Sequence, residues 1–354
     1  MYSVHKPKLK TGAALAALAA LGLAAARPAL AQTYTFTTLD DPLAGSFTNA
    51  NGSFSGTVAA GINASGEIVG YYFDSAGQHG FTETAAGFST LDFPNVAGST
   101  GALGISNAGQ IVGGYGDGTG NYGFVYTPGA GFAQISEPSA PAGSNTFASG
   151  VNDSGQIVGN YTDSTGFNFR GFLDTPGSGG ASSFTTLADP KATSDTFARG
   201  INNNGQVVGY YAPSGGVQIG YLLAPGGGYS DIIDPAAPKH TFPVGINDLG
   251  QVAGYYLGKG GPHGFVETPG TAGASSTFAT LDDPLTTHGT YVQGISNNGQ
   301  VVGYYSDANN VDHGFLATPA AVPEASSVVS FGVLLLMGAG GLLTASRKRA
   351  RTAA

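Results

Sequence analysis

The sequence of 354 residues contains no cysteine, and only 10% of its residues are charged. Without cysteine, disulfide frameworks, thiolate chemistry and thiolate metal sites are excluded. Long runs of helix-forming residues occur only at the two ends, whereas 59 glycines and 19 prolines are spread along the whole length. That distribution predicts an all-β domain of many short strands joined by turns.

Several catalytic motifs are also missing from the sequence. It contains no Gly-x-Ser-x-Gly, His-Glu-x-x-His or P-loop pattern. An active site needs one nucleophile or one acid/base pair in a unique environment, so it normally breaks the symmetry of a repeated chain. We find no such cluster and expect a protein that is not an enzyme. No EF-hand or glycine-rich calcium repeat occurs either, so we expect no cofactor, with Ca²⁺ kept as an alternative.

Residues 1–31 have the layout of a secretory signal peptide. Three lysines precede an Ala/Leu-rich run from Ala13 to Ala26, and the segment closes on Ala29-Leu30-Ala31. A basic region, a short apolar stretch and a small-residue site are typical of a cleaved leader. We predict cleavage after Ala31, with Ala29 and Ala31 forming the recognised site. The alternative, a membrane anchor, is disfavoured because the run is short and rich in alanine.

The C-terminal residues 321–354 consist of three parts. Val322, Pro323 and Glu324 come first, an uncharged span over residues 328–345 follows, and a basic cluster begins at Arg347. The span is just long enough for a transmembrane helix. The basic cluster should stay in the cytoplasm, which leaves the main body, residues 32–320, on the outside.

This tail resembles the PEP-CTERM sorting signal of exported Gram-negative bacterial proteins, in which a Pro-Glu motif, a membrane span and an Arg-rich end follow one another. One position departs from the family pattern, because Ala325 replaces its second proline. The resemblance implies export through the inner membrane, transient anchoring by the C-terminal helix and processing by an exosortase-type enzyme. The protein would then reside at the cell surface or be released.

The region between the two ends is strongly acidic. The ends contain eight of the 13 basic residues but only Glu324 of the 22 acidic ones, which leaves a net charge of −16 in between. Such a body repels phosphate backbones, so we expect no nucleic-acid partner.

The main body contains one motif six times. Each copy has an anchor glycine, a threonine four residues before it and a second glycine nine residues after it. The anchors are Gly61, Gly104, Gly150, Gly200, Gly245 and Gly294. Repeats of this length indicate a propeller or a solenoid. Each copy can be divided into four strands, A to D, as in Thr196–Asn202 for strand A and Gln206–Tyr211 for strand B.

The ends of the repeat array distinguish a ring from an open stack. The sixth copy lacks strand D, and a spare D sequence, Phe36 to Pro42, stands at the start of the body. A ring can use that segment to complete its last blade and so remove exposed strand edges. We therefore predict a six-bladed β-propeller of four-stranded blades, with the last blade completed by the N-terminal strand. The alternative is an open β-solenoid of the same repeats.

In a propeller, the D–A and B–C connections share one face, and most acidic residues of the body fall on it. One interpretation is that these residues are turn formers on a solvated rim, since Asp and Asp-Pro are common in turns. The other is a carbohydrate- or cation-binding face on which tyrosines stack against sugar rings. The residues of this candidate ligand face are Asp74, Asp92, Asp163, Asp234, Asp282, Asp307, Tyr72, Tyr211, Tyr256 and Tyr305.

Histidine starts strand C in three copies, at His79, His263 and His313. The same position is Tyr122, Arg170 and Ile219 in the others, which favours packing over a ring of metal ligands. The repeats resemble HAF-type extracellular repeats, in which a His-x-Phe strand lies beside a Gly-Ile-Asn-x-x-Gly-x-Val-Val-Gly hairpin, and this resemblance implies an extracellular location. We predict a non-enzymatic surface or matrix scaffold that binds exopolysaccharide, cations or partner proteins. The alternative is a glycan hydrolase or lyase that uses a pair of aspartates on the acidic face.

Overall fold

The computed structural model describes residues 33–320, except 50, 51, 97, 98, 139, 142–144, 178–181, 238 and 271–274. The predicted leader with Ala29 and Ala31, the motif Val322 to Glu324 and the predicted span 328–345 lie outside the described residues. Within the described ranges no helix is long and apolar enough to cross a membrane.

The described residues form 26 strands in chain order. The first three precede the repeats: β1 (Tyr34–Leu39), β2 (Ser46–Asn49) and β3 (Gly52–Ser55). Blade 1 contains β4 (Thr57–Ile62), β5 (Ile68–Asp74), β6 (Gly77–Thr84) and β7 (Gly87–Thr90). Blade 2 contains β8 (Thr100–Ile105), β9 (Ile111–Gly116), β10 (Asn121–Thr127) and β11 (Gly131–Ile135). Blade 3 contains β12 (Thr146–Val151), β13 (Ile157–Thr162), β14 (Phe169–Pro176) and β15 (Ser182–Leu187).

The remaining strands follow the same order. Blade 4 contains β16 (Thr196–Ile201), β17 (Val207–Tyr211), β18 (Ile219–Leu223) and β19 (Tyr229–Ile232). Blade 5 contains β20 (Thr241–Ile246), β21 (Val252–Gly258), β22 (Gly261–Thr268) and β23 (Thr277–Leu281). Blade 6 contains β24 (Thr290–Ile295), β25 (Val301–Ser306) and β26 (Asp312–Pro319). Each blade is a four-stranded antiparallel sheet with the order A-B-C-D, and strand A is nearest the central axis. The prediction of a six-bladed β-propeller is confirmed.

Strand β1 completes blade 6, as predicted. It pairs with β26 from Tyr34 opposite Pro319 to Leu39 opposite Gly314. The Phe36 ring meets the Phe315 ring edge-on, with 5.3 Å between ring centroids. At the start of this pairing, the backbone N–H of Ala320 donates to the carbonyl of Thr33 at 2.8 Å. The ring is therefore closed by the two ends of the described chain, and the open solenoid is not formed.

The blades pack face to face, which explains the consecutive apolar residues of strand B. Val207 and Val208 are 2% and 0% exposed. Val207 belongs to the core of blade 4, and Val208 packs with residues of blade 5. Because neighbouring side chains in a strand point to opposite faces, both faces of each sheet are buried between blades.

The anchor glycines form a ring where the six A strands come closest together. A Cβ atom added to Gly200 would lie 2.6 Å from the Val244 carbonyl oxygen and 3.2 Å from Gly245 Cα. The same close approach links each anchor to the next around the ring. It closes at Gly294, where an added Cβ atom would lie 3.3 Å from Gly61 Cα. Only glycine leaves room for this packing.

The threonine four residues before each anchor connects adjacent blades. Thr290 Oγ1, fully buried, accepts the backbone N–H of Asp283 at 2.9 Å. Asp283 lies just after strand D of the preceding blade, and Thr57 and Asp41 make the same contact at the closure, also at 2.9 Å. Since an unpaired buried N–H is costly, the repeated threonine is explained by this contact.

Candidate functional site

Two faces of the ring are distinguished by their loops. The B–C face contains the B–C and D–A connections, and the A–B face contains the A–B and C–D connections. The predicted acidic residues lie at the B–C face, since Asp74 ends strand B of blade 1, and Asp92 follows strand D of the same blade. The face assignment made from the loop order is therefore correct.

Four of the predicted aspartates lie beside the histidines that start strand C, and one of them is Asp307, 3.9 Å from His313 Nε2. His79 lies between two of them, with Nδ1 2.7 Å from Asp92 and Nε2 3.3 Å from Asp74. Burial disfavours the charged imidazole, but the hydrogen bond and charge of Asp92 and the charge of Asp74 outweigh it and raise the pKa of His79. His263 bonds to Asp282 at 2.9 Å, and this hydrogen bond raises its pKa.

The aspartates at the tips of the B–C loops hold their own loops. Asp163 accepts from the Thr165 hydroxyl, and this bond holds the pKa of the Asp163 carboxyl below its ordinary value. Asp307 accepts the backbone N–H groups of Val311 and Asn309, which lower its pKa in the same way. These contacts are those of turn-forming residues.

Asp234 does not lie on a ligand face. It is 3% exposed, and its carboxylate accepts the backbone N–H of Ala236 at 2.8 Å within the D–A turn. Burial raises the pKa of this carboxyl. Asp234 therefore shapes the turn after strand D.

The predicted tyrosines are buried, and the expected stacking surface is not formed by them. Tyr72, Tyr211, Tyr256 and Tyr305 are 2–6% exposed. Three of their hydroxyl groups bond to strand D, as in the pairs Tyr72–Thr90, Tyr211–Asp231 and Tyr256–Thr280. The rings of Tyr72, Tyr256 and Tyr305 stack on the imidazoles that follow them in strand C, with centroids 5.1–5.3 Å apart. Their ring faces are used inside the blades.

A different set of aromatic residues lies around the channel mouth on the B–C face. Each is one residue before a buried tyrosine in strand B, or directly opposite in strand A, and all but Phe242 are half-buried. We call this set the aromatic arc: Phe197, Tyr210, Phe242, Tyr255, Tyr291 and Tyr304. Successive centroids in that order are 4.8, 5.0, 4.8, 5.1 and 4.6 Å apart. The arc extends across blades 4 to 6.

Blade 2 has no aromatic residue at the positions that form the arc in blades 4 to 6. There the positions of Phe197 and Tyr210 are occupied by Gly101 and Gly114, the residues paired across strands A and B. Their missing side chains leave an open cavity of about 250 Å³ between blades 1, 2 and 3. We call it the blade-2 pocket; it is lined by Tyr71, Gln78, Ser99, Gly101, Leu103, Gly114, Tyr115, Asn121 and Phe147. This pocket breaks the sixfold repeat.

The channel below the mouth is lined by one residue from each A strand. In every blade the pairing of A with B shifts by one residue just before the anchor glycine, so that residue lies in a β-bulge. A bulge re-aims its side chain out of the pleat, and here it points into the channel. We call these residues the bulge ring: Ala60, Leu103, Ser149, Arg199, Val244 and Gln293.

The A–B face has its own polar ring, which the sequence did not suggest as a site. Asn203, for example, donates its backbone N–H to Asp248 and accepts that of Asp153, both at 2.8 Å. This series of hydrogen bonds between successive A–B turns stops at Ala64, which has no side-chain acceptor for the next turn. The first residue of the turn holds the backbone ahead of it: Asn202 Oδ1 accepts the N–H groups of Asn204 and Gln206. This ring links the A–B turns of adjacent blades.

No group of three or more histidine, aspartate or glutamate side chains suited to a metal ion occurs within the described ranges. Of the three histidines that start strand C, His79 and His313 each lie beside two carboxylates and His263 lies beside one.

The fold is similar to those of several solved propeller proteins. Virginiamycin B lyase from Staphylococcus aureus is 12% identical, with 82% of this chain and 90% of that chain covered and a TM-score of 0.41. A fucose-specific lectin from Aleuria aurantia is 12% identical, with coverage of 76% and 97% and a TM-score of 0.45. SapL1 lectin in complex with α-methyl fucoside is 12% identical, with coverage of 76% and 96% and a TM-score of 0.47. No family model and no curated protein matches the chain.

Proposed function

We propose that this protein is an exported surface or matrix protein that binds polysaccharide, without catalysis, at the channel mouth on the B–C face. The observation that carries the proposal is the blade-2 pocket, the place where the aromatic lining of the mouth opens. A space of about 250 Å³ suits one sugar residue better than a large ligand.

The pocket combines the two kinds of group that recognise sugars. Tyr71 and Phe147 are half-buried aromatic residues on either side of the gap, and aromatic faces pack against the apolar faces of sugar rings. Two amides supply polar groups. Gln78 Nε2 is held by the Thr100 carbonyl at 3.2 Å, and Asn121 Nδ2 is held by Asn145 Oδ1 at 2.7 Å. Because both amides are fixed, their remaining polar groups are pre-organised for a ligand.

The arrangement of the acidic residues favours binding over hydrolysis. A glycan hydrolase needs two carboxyl groups that face each other across a substrate bond. Asp74 and Asp92 instead face one imidazole, and Asp234 is buried in a turn. Export is supported by the sequence of the two ends, and mass spectrometry of the mature protein tests it. We expect an N-terminus at Gln32 and loss of the segment that follows the Val322 to Glu324 motif.

Binding is tested by filling the pocket with the residue that other blades carry. The variant Gly101→Phe introduces the side chain found at Phe147 and Phe197, and its Cβ would meet the side-chain amide of Gln78 at 2.7 Å and the ring of Tyr71 at 3.5 Å. The control is Gly228→Phe, since Gly228 lies in an exposed loop on the A–B face with no atom within 4 Å of an added Cβ. Both variants and the parent are applied to an array of bacterial exopolysaccharides, and hits are measured by calorimetry.

We expect the parent and Gly228→Phe to bind the same glycans and Gly101→Phe to lose them while its melting temperature is maintained. Equal binding by Gly101→Phe would place the site elsewhere. A shortening of any bound glycan during incubation, followed by size-exclusion chromatography, would support the hydrolase or lyase alternative instead.

A further inference from the structure

The bulge ring varies from blade to blade. The anchor glycines that follow it are the same in all six blades, but the ring itself contains six different residues: Ala60, Leu103, Ser149, Arg199, Val244 and Gln293. The backbone pairing of the bulge does not depend on the side chain, because the bulged residue takes no part in the ladder. The fold therefore leaves the choice of these side chains free, and a charged one needs another reason.

Arg199 is the one charged residue of the bulge ring, and it has no partner. Among the described residues no acid lies within ion-pair distance of its guanidinium, and its Nε is buried without a hydrogen-bond acceptor. A guanidinium presents five N–H donors and stays charged. Arg199 is half-buried in the channel wall. Partial burial of an unpaired charge carries a cost, and none of the carboxylates of the described residues relieves it. We interpret the guanidinium as open to an external anion.

The position of Arg199 connects it to the blade-2 pocket. Leu103 belongs to the bulge ring and also lines the pocket. The charge of Arg199 also acts on two phenols of the mouth, because it partly offsets the effect of burial, which raises the pKa values of Tyr71 and Tyr255 to about 12. Tyr71 belongs to blade 1, across the ring from blade 4. The positive charge of Arg199 in the channel therefore acts on groups at the mouth.

The carboxylate of Asp312 also acts on phenols of the mouth. Asp312 begins strand C of blade 6, and its carboxylate accepts from the Ser306 hydroxyl at 2.6 Å. Its charge acts on Tyr71, Tyr291 and Tyr304. A ligand at the mouth thus meets one cation in the channel and one acid on the rim. That balance suits a single negative charge better than a phosphate group, which carries nearly two.

We propose that Arg199 binds the carboxylate of a uronic acid residue whose sugar ring lies at the blade-2 pocket. The inference rests on the proposed polysaccharide binding and names its ligand class, an acidic rather than a neutral glycan. A planar guanidinium and a carboxylate match in geometry and form two parallel hydrogen bonds. The aromatic residues contact the sugar ring, and Arg199 distinguishes an acidic glycan from a neutral one.

The test compares each acidic glycan with its own neutral form. Oligosaccharides of glucuronate, galacturonate and mannuronate are used beside their carboxyl-reduced counterparts, and calorimetry gives the ratio of the two Kd values. The variant Arg199→Gln introduces the residue that blade 6 carries at this position, Gln293, so the fold should tolerate it. The control Lys191→Gln removes the same charge from the rim, where Lys191 is paired with Asp231 at 2.7 Å.

We expect the parent to prefer the acidic form of at least one pair by about 10- to 100-fold, the value of a charge-assisted hydrogen bond. Arg199→Gln should bring this ratio close to one, Lys191→Gln should leave it unchanged, and Asp312→Asn should increase it. If the parent binds the neutral forms equally well, polysaccharide binding stands and the role of Arg199 is refuted. If the parent binds no member of any pair but binds a sulfated or phosphorylated glycan, the carboxylate is refuted. Absence of all glycan binding refutes both proposals.

Discussion

The imidazole of His313 lies 3.0 Å from the carboxylate of Asp40, although 273 residues separate them in the sequence. Asp40 follows β1, and His313 is the second residue of β26, so the pair bridges the closure of the ring. Both side chains are partly exposed, at 25% and 46%. An ion pair of this kind is worth at most about 1 kcal/mol, so apolar packing must account for most of the stability of the closure.

We predict that Phe36→Ala weakens the closure far more than Asp40→Asn. Phe36 packs against the fully buried Phe315, and its loss should reduce the free energy of unfolding by about 2 kcal/mol or more, toward the range for phenylalanine truncation. Asp40→Asn should cost less than about 1 kcal/mol. Urea unfolding followed by tyrosine fluorescence measures both. Phe167→Ala is the matched control because Phe167 is 88% exposed. Equal losses in Phe36→Ala and Phe167→Ala would contradict the closure.

The anchor glycines should not tolerate even one methyl group. Gly200→Ala would place its Cβ against the Val244 carbonyl and the Gly245 backbone, and overpacking of this kind costs about 1–3 kcal/mol. We expect a lower urea midpoint with an unchanged slope. Gly228→Ala, whose added Cβ would meet no atom within 4 Å, should leave the midpoint where it is. A tolerant Gly200 would mean that the six A strands are farther apart than described.

The threonine contacts between blades can be tested by removing one hydroxyl. Thr290→Val keeps the shape of the side chain but leaves the backbone N–H of Asp283 without its acceptor. The expected loss is about 1–3 kcal/mol, the cost of an unsatisfied buried donor. Thr290→Ser retains the hydroxyl and should lose less. Amide hydrogen exchange at Asp283 provides a local measurement, and an unaltered exchange rate in Thr290→Val would refute the contact.

The histidine–aspartate pairs predict a pH dependence of stability. The pKa values of His79 and His263 are raised above the ordinary histidine value, which is about 6.5. Their stabilisation is therefore fully present below about pH 6.5 and is lost as the pH rises through the raised folded-state values. The double variant His79→Gln/His263→Gln should have a lower melting temperature than the parent under acidic conditions, and the difference should shrink as the pH rises.

The control for this pH series is His240→Gln. His240 Nδ1 meets the amide oxygen of Gln218 rather than a carboxylate. Its replacement removes an imidazole without removing a histidine–carboxylate pair. A difference between parent and double variant that grows toward alkaline pH would have the wrong sign for these pairs.

The fold could be predicted because its determinants recur at fixed spacings. The threonine, the anchor glycine and the second glycine each meet a backbone atom of a neighbouring strand, so the same residue is needed in every copy. The spare D strand then indicated closure, since a blade without its fourth strand would leave β26 with an open edge.

The candidate site could be predicted only in part. The predicted aspartates lie at the B–C face, but from pairs such as Tyr210-Tyr211 the prediction selected the second tyrosine. Adjacent residues of a strand point to opposite faces, and it is Tyr210 that reaches the mouth while Tyr211 is buried. Arg199 was missed because the bulge positions share no residue type, and variability without a common pattern carries no signal until the backbone brings the six together.

The hydrogen bond between Thr33 and Ala320 has a consequence for the orientation of the molecule. Both residues lie at the outer edge of blade 6, at the end of the strands that belongs to the A–B face. The two ends of the described chain therefore lie at one corner, on the face opposite the channel mouth. A support attached at this corner would leave the mouth on the opposite face open to a ligand.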